Sequence, residues 1–172
     1  YGYLAGDYAR DKDAVTASML VAEMAAYYSA KGMTLYDAVQ AMYDKYGYYK
    51  DSVKSVTMKG IEGLAKIAQT MENLRANAPE NIGPYKVLQA RDYKLDTCKN
   101  METGEVTSTG LPQSNVLYYD LEDGAWLCVR PSGTEPKIKL YYGVKGSSME
   151  DAENRSAELG KYAEIGRASC RE

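Results

Sequence analysis

Apolar positions along this chain recur at helical spacing over much of its first half and alternate along much of its second. Residues 11–31 read as a helix in which Val15, Met19, Leu20, Val21 and Met24, with the alanines between them, cover more than one stripe. Such a helix needs cover on several sides. Gly32 suits its C-terminal stop, and Thr34 followed by Asp37 marks an N-cap, so a second helix is expected from Leu35 to residue 45 or 46. Two helices with this much apolar surface make a poor domain alone, which is a first physical sign of a chain cut from something larger.

After Gly47 the character changes. Residues 48–57 read as extended, and residues 58–75 return to helical spacing, with Ile61, Leu64, Ile67, Met71 and Leu74 on one side. Gly60 and Gly63 weaken the start of that helix. Residues 78–84 (APENIGP) form a breaker cluster and read as a linker. Strands are expected at residues 85–93, 115–121 and 125–129, the last two joined by Glu122-Asp123-Gly124, whose Asp-Gly step signals a hairpin. Residues 137–144 alternate, with Ile138, Leu140, Tyr142 and Val144 on one face and Lys137, Lys139 and Tyr141 on the other, as a half-buried strand does. Ser148, followed by Asp151, opens a polar helix that ends near Ala163. The pattern is lost over residues 164–172, which read as a frayed or appended tail. Residues 48–163 therefore predict a small α+β domain, an antiparallel sheet with helices on one face.

Composition narrows the function classes. A length of 172 residues fits one ordinary domain, or a small domain plus part of another. With 45% apolar and 26% charged residues the chain reads as soluble, and no apolar run approaches the ~20 residues of a membrane span. Residues 1–6 have neither the basic start nor the apolar stretch of a signal peptide, and the chain opens on Tyr1 rather than Met, as an excised segment would. A formal charge of -3 argues against a broad nucleic-acid or acidic-membrane surface, so an anionic ligand would need a local cluster. Cys98, Cys128 and Cys170 are odd in number and widely spaced, which suits a reducing cytoplasm better than a disulfide framework or a Cys-x-x-Cys metal site. The absence of His removes the commonest neutral-pH base and metal ligand. Beside no Phe stand 17 Tyr, so a core built on Tyr must find partners for its hydroxyls or let them reach the surface.

The stretch suited to chemistry is residues 130–137 (RPSGTEPK), between two predicted strands. Arg130 offers a planar fork matched to two phosphate oxygens, Ser132 and Thr134 offer hydroxyl donors, and Gly133 lets backbone N–H groups approach closely. Pro131 and Pro136 restrict the loop at both ends and lower the entropy lost on closing over a ligand. Lys137 and Lys139 add positive potential. The same residue types also make a plain turn, and there is no Walker loop here, so residue types alone leave both readings open.

Residues 130–142 (RPSGTEPKIKLYY) closely resemble the C-terminal phosphate-binding loop and following strand of the α-D-phosphohexomutases, the phosphoglucomutase/phosphomannomutase family. Residues 1–15 (YGYLAGDYARDKDAV) resemble the segment just after that family's sugar-recognition loop, and the likeness extends over residues 1–163. The resemblance implies a four-domain enzyme that interconverts hexose 1-phosphate and hexose 6-phosphate through a phosphoserine and bound Mg²⁺, with glucose 1,6-bisphosphate as activator and intermediate. It also implies that residues 1–47 are the helical tail of the third domain. Residues 48–163 would be the fourth, phosphate-binding domain, of TATA-box-binding-protein-like fold.

By that resemblance Arg130, Ser132, Gly133 and Thr134 grip the substrate's phosphate, with Lys137 a further candidate that could equally face solvent. Arg10 and Lys12 match a stretch near the family's active-site cleft, yet each also suits an exposed charge at a helix start. Asp7, Asp11 and Asp13 could suggest a metal loop, but the helix dipole accounts for acids there. No Thr-Ala-Ser-His-Asn-Pro-like serine loop and no Asp-x-Asp-x-Asp-Arg metal loop is present, so neither a catalytic residue nor a metal ligand is assigned. The expectation is an enzyme part that is inactive alone and binds a phosphosugar with the help of the missing N-terminal domains. Exposed faces of its first two helices are expected to drive some dimerisation, and the opening run leans toward a phosphoglucomutase.

Two other classes compete. A stand-alone phosphosugar or anion-binding module would bind well below the ~1 mM level, near ~4 kcal/mol, expected of one loop without its neighbouring domains. A structural or interaction domain could use its sheet on DNA, against which the acidic balance argues.

Overall fold

The computed structural model describes residues 3–8, 10–58, 61–133 and 135–163, the side chain of Ile61 excepted. The chain divides into two compact units, Tyr1–Gly47 and Tyr48–Glu172.

The first unit is a leading loop and two helices, α1 (Ala14–Ser29) and α2 (Leu35–Tyr46). Helix α1 begins at Ala14 rather than at residue 11, because the Asp13 carboxylate accepts the backbone N–H groups of Val15 and Thr16 and so caps the first turn. Its Thr16 hydroxyl also donates to Asp13, and Tyr8 donates to Thr16, tying the leading loop to the cap. Helix α2 carries the expected capping box, Thr34 accepting from the Asp37 N–H while the Asp37 carboxylate accepts from the Thr34 N–H. Neither helix has a buried residue, and Val15 and Met19 remain 73% and 69% exposed.

The second unit is an antiparallel sheet with helices on one face. Its strands are β1 (Tyr48–Thr57), β2 (Asn81–Ile82), β3 (Tyr85–Asp92), β4 (Thr97–Asn100), β5 (Val106–Thr107), β6 (Leu117–Leu121), β7 (Trp126–Pro131) and β8 (Lys137–Gly146). They run in the order β1-β8-β7-β6-β3-β4-β5, with β2 paired to the start of β3. Helices α3 (Ile61–Ala76) and α4 (Met149–Ala163) complete the unit. Ile67 and Met71 of α3 and Leu159 of α4 share one apolar cluster with Ile138, Leu140, Tyr142 and Val144 of β8, the residues whose alternation predicts an inward face. Each such side chain contributes roughly 1.5–3 kcal/mol by leaving water.

Several boundaries differ from the sequence expectation. Helix α3 starts at Ile61 and not at residue 58: the Met58 N–H instead donates to the Pro136 carbonyl. Gly63 does more than weaken α3, since a Cβ there would lie 2.0 Å from the Met58 carbonyl oxygen, so the glycine permits the chain to enter the helix. The stretch read as a linker contains β2, which folds back on β3 with Asn81 opposite Lys86. Strands β4 and β5 were not expected; their residues, TCKN and VT, carry no apolar alternation. The β6–β7 hairpin forms as expected, with Asp123 and Gly124 at φ 57 and 70, the left-handed backbone that an Asp-Gly turn supplies. The tail at residues 164–172 and Gly60 lie outside the described residues.

Candidate functional site

The loop of interest joins β7 and β8, neighbours in the interior of the sheet's strand order. Their register brings Arg130 opposite Lys139 and Pro131 opposite Ile138. The Ser132 N–H donates to the Lys137 carbonyl at 2.8 Å, closing the loop at its base. The Pro136 carbonyl accepts the Met58 N–H at 2.9 Å, which anchors the far side to the exit of β1. Residues 132–136 are thus held at both ends, whereas Gly133 is exposed with open space where a Cβ would stand.

Side-chain direction follows from the pleat. Along β7, Leu127 and Val129 point into the core, so Trp126, Cys128 and Arg130 share the opposite, open face. Lys137, Lys139 and Tyr141 of β8 share that face, because Ile138, Leu140 and Tyr142 are buried. Residues directly opposite in an antiparallel pair have Cβ atoms ~5 Å apart, so Arg130 and Lys139 present two cations side by side at the root of the loop. Arg130 is exposed and makes no hydrogen bond or ion pair with a described residue. Among the described residues nothing occupies its guanidinium, whose planar fork matches two oxygens of an anion.

Lys137 is placed differently. Its ammonium is ion-paired with Glu135, and the hydrogen bond from Lys137, reinforced by the charges of Lys137 and Lys139, holds the Glu135 carboxyl below its ordinary 4.5. The carboxylate consequently competes with any incoming anion for Lys137. Beside Arg130 on the same strand face, burial pushes the Cys128 thiol up, against the pull of the Arg130 charge.

Of the residues singled out in the sequence, the structure gathers Arg130, Ser132, Gly133 and Lys137 in this one loop, and Thr134 lies outside the described residues. Arg10 and Lys12 belong to the first unit, where both are exposed and Lys12 pairs with Asp11 at 3.0 Å. Sequence reasoning gave Lys139 no more than a general potential and missed Glu135 as the partner of Lys137. The signal for the first was the alternation of β8, which puts Lys139 on the face of Arg130; for the second it was an opposite charge two residues away on an extended segment.

An antiparallel sheet with helices on one face, carrying an arginine-led loop between two of its strands, defines the class as an α+β domain. Residues 62–159 match the family model of the phosphoglucomutase/phosphomannomutase C-terminal domain, and the chain belongs to that family. It is 36% identical over 151 residues to a phosphoglucomutase of Staphylococcus aureus (strain bovine RF122 / ET3-1), a match covering 88% of this chain and 27% of that protein. To a phosphoglucomutase of Staphylococcus haemolyticus it is 35% identical over 150 residues, covering 87% and 27%. Among solved structures it resembles the exocytosis-sensitive phosphoprotein pp63/parafusin, a phosphoglucomutase of Paramecium in an open form, with a TM-score of 0.53 over 93% of this chain and 28% of that one. At 14% identity that last likeness is one of fold. The chain spans about a quarter of the length of these relatives, 27% in each Staphylococcus case.

Proposed function

We propose that this chain is the phosphate-receiving end of a phosphohexomutase, and that the loop at residues 130–137 holds the phosphate of a hexose phosphate remote from the reacting end. The observation that carries the proposal is the exposed Arg130, its side chain without a partner among the described residues, standing opposite Lys139 at the root of a loop closed by the Ser132–Lys137 backbone bond. Arg130 would take two phosphate oxygens, Lys139 would add a point charge, the Ser132 and Thr134 hydroxyls would donate, and the Gly133 N–H would reach the anion through open space. The Ser132 N–H is already engaged, so Ser132 serves through its hydroxyl.

No bond is made or broken by this chain's residues in that account. Binding energy from a phosphate far from the reacting centre orients the sugar so that its other end meets the catalytic groups. The loop reads only the phosphate, which suits a reaction in which the phosphates on the two sugar carbons occupy it in turn. Among the described residues no group of three or more Asp, Glu or Cys side chains could hold a metal ion, so none of them is offered as a ligand of Mg²⁺. The phosphoserine and metal loops are assigned to the N-terminal domains of the full-length enzyme, and residues 1–47 to the tail of its third domain.

Cys98 and Cys128 are both free, which supports a reducing, cytoplasmic setting, and no helix among the described residues is long and apolar enough to cross a membrane. The test is selectivity: glucose 1-phosphate, glucose 6-phosphate and glucose are each titrated into the chain with backbone amides monitored by NMR. Both phosphates should move the same amides around Ser132 and Gly133 and glucose should move none. Equal responses to glucose would show that the sugar, and not the phosphate, is read.

A further inference from the structure

The two edges of the sheet are built differently. At one end of the strand order β5 is two residues long, the kind of short strand that blunts an edge. At the other end β1 runs for ten residues, paired to β8 throughout and, among the described residues, to no strand on its outer side. The N–H and C=O groups on that side form a template on which another extended strand can be laid.

The lysines that commonly guard such an edge are engaged elsewhere. Lys50 donates to Glu153 of α4 at 3.4 Å, Ser52 meets Ser156 at 2.9 Å, and Lys54 donates to the Gly160 carbonyl at 2.9 Å. The even-numbered side chains of β1 therefore lie toward the helices, and the pleat sends Tyr49, Asp51, Val53 and Ser55 to the open face. There Tyr49 and Val53 are 49% and 50% exposed.

The charge pattern of β1 is complementary to itself in one register. A two-fold axis between two antiparallel copies of a strand keeps each residue on its own face, so even positions stand opposite even and odd opposite odd. Centring the pairing on Asp51 or on Lys54 sets a charge against its own copy, and centring it on Ser52 sets Lys50 against Lys54. Centring it on Val53 opposes no like charges: Asp51 stands opposite Ser55, Lys54 opposite Ser52, Lys50 opposite Val56 and Tyr49 opposite Thr57. Like charges directly opposite destabilise a sheet, so the Val53 register is the favoured one of these four. We propose that β1 is a self-association edge, on which β1 of a second copy of this chain pairs antiparallel about Val53 and joins the two sheets into one.

The experiment places a cysteine by Val53→Cys or by Tyr49→Cys, each in a chain that also carries Met19→Glu so that α1 contributes less to association. The pairing puts the two copies of position 53 directly opposite, with Cα atoms about 4.5–5.5 Å apart, inside the span of a disulfide. Position 49 stands opposite 57, so its two copies lie eight residues apart along the strands, roughly 27 Å, although that side chain is equally exposed. Mild oxidation is followed by peptide mass mapping, and amide exchange along β1 is measured in the parent chain at rising protein concentration. The proposal expects at least about tenfold more 53-to-53 than 49-to-49 disulfide, and exchange at alternate β1 amides that slows as concentration rises. Equal yields at the two positions mean random collision and overturn it. So does β1 exchange that is independent of concentration, the outcome for an edge that meets water or another segment of chain.

Discussion

Arg130 and Lys139 stand directly opposite one another on β7 and β8, on the face of the sheet away from the helices. Two cations placed side by side repel unless something anionic sits between them, so the pair stores a preference for a ligand that neither residue has alone. Lys139→Ala should weaken binding of glucose 1-phosphate by about three- to tenfold while leaving the amide pattern of the remaining response intact. A titration that is unchanged in this variant would remove Lys139 from the site.

Glu135 restrains Lys137. Their ion pair holds the carboxyl below 4.5, so at neutral pH Glu135 is ionised and the lysine is engaged. Because the folded value is depressed, the stabilisation is present above the ordinary carboxyl range and is lost as pH falls through the folded value. Carboxyl-detected NMR titration should place Glu135 below its ordinary range, and Lys137→Ala should return it upward. Glu135→Gln should tighten phosphate binding by about two- to threefold, since it frees the ammonium and removes a like charge from the anion's path.

Gly63 is a packing requirement. A methyl group there meets the Met58 carbonyl oxygen at 2.0 Å, and the Met58 N–H is already committed to Pro136 at the base of the loop. Gly63→Ala should therefore destabilise the second unit by about 1–3 kcal/mol, despite alanine's better helix propensity. Chemical denaturation decides it: a stabilised variant would mean that propensity outweighs the contact.

The first unit leaves Val15, Met19, Val21 and Met24 of α1 and Tyr36, Val39 and Met42 of α2 exposed. Apolar surface of this extent favours association when its natural cover is absent. Sedimentation at rising concentration should show dimers, and Met19→Glu should reduce them. A strictly monomeric profile at high concentration counts against the assignment of this surface as an interface.

Much of this fold is legible in the residues because the inward face of β8 is written as Ile138, Leu140, Tyr142 and Val144, and because capping residues such as Thr34 and Asp37 mark helix starts by their own chemistry. Strands β4 and β5 escaped notice for the opposite reason: Thr97, Lys99 and Val106 belong to short outer strands that bury little, so pairing to β3 and not hydrophobic pattern makes them strands. The loop was legible as a run of phosphate-suited residues, but the roles of Lys137 and Lys139 depend on register and on Glu135, which spacing along one segment does not reveal. The concern that a core rich in Tyr must satisfy its hydroxyls has a concrete address in Tyr119.

The central claim is that Arg130 leads a phosphate-binding loop, and the direct measurement is an amide-resolved NMR titration of the chain with glucose 1,6-bisphosphate, repeated with Arg130→Ala. Shifts centred on Ser132 and Gly133 that saturate at about millimolar ligand and weaken at least tenfold in the variant are the expected result. Shifts centred elsewhere, or an undiminished response in Arg130→Ala, would contradict it.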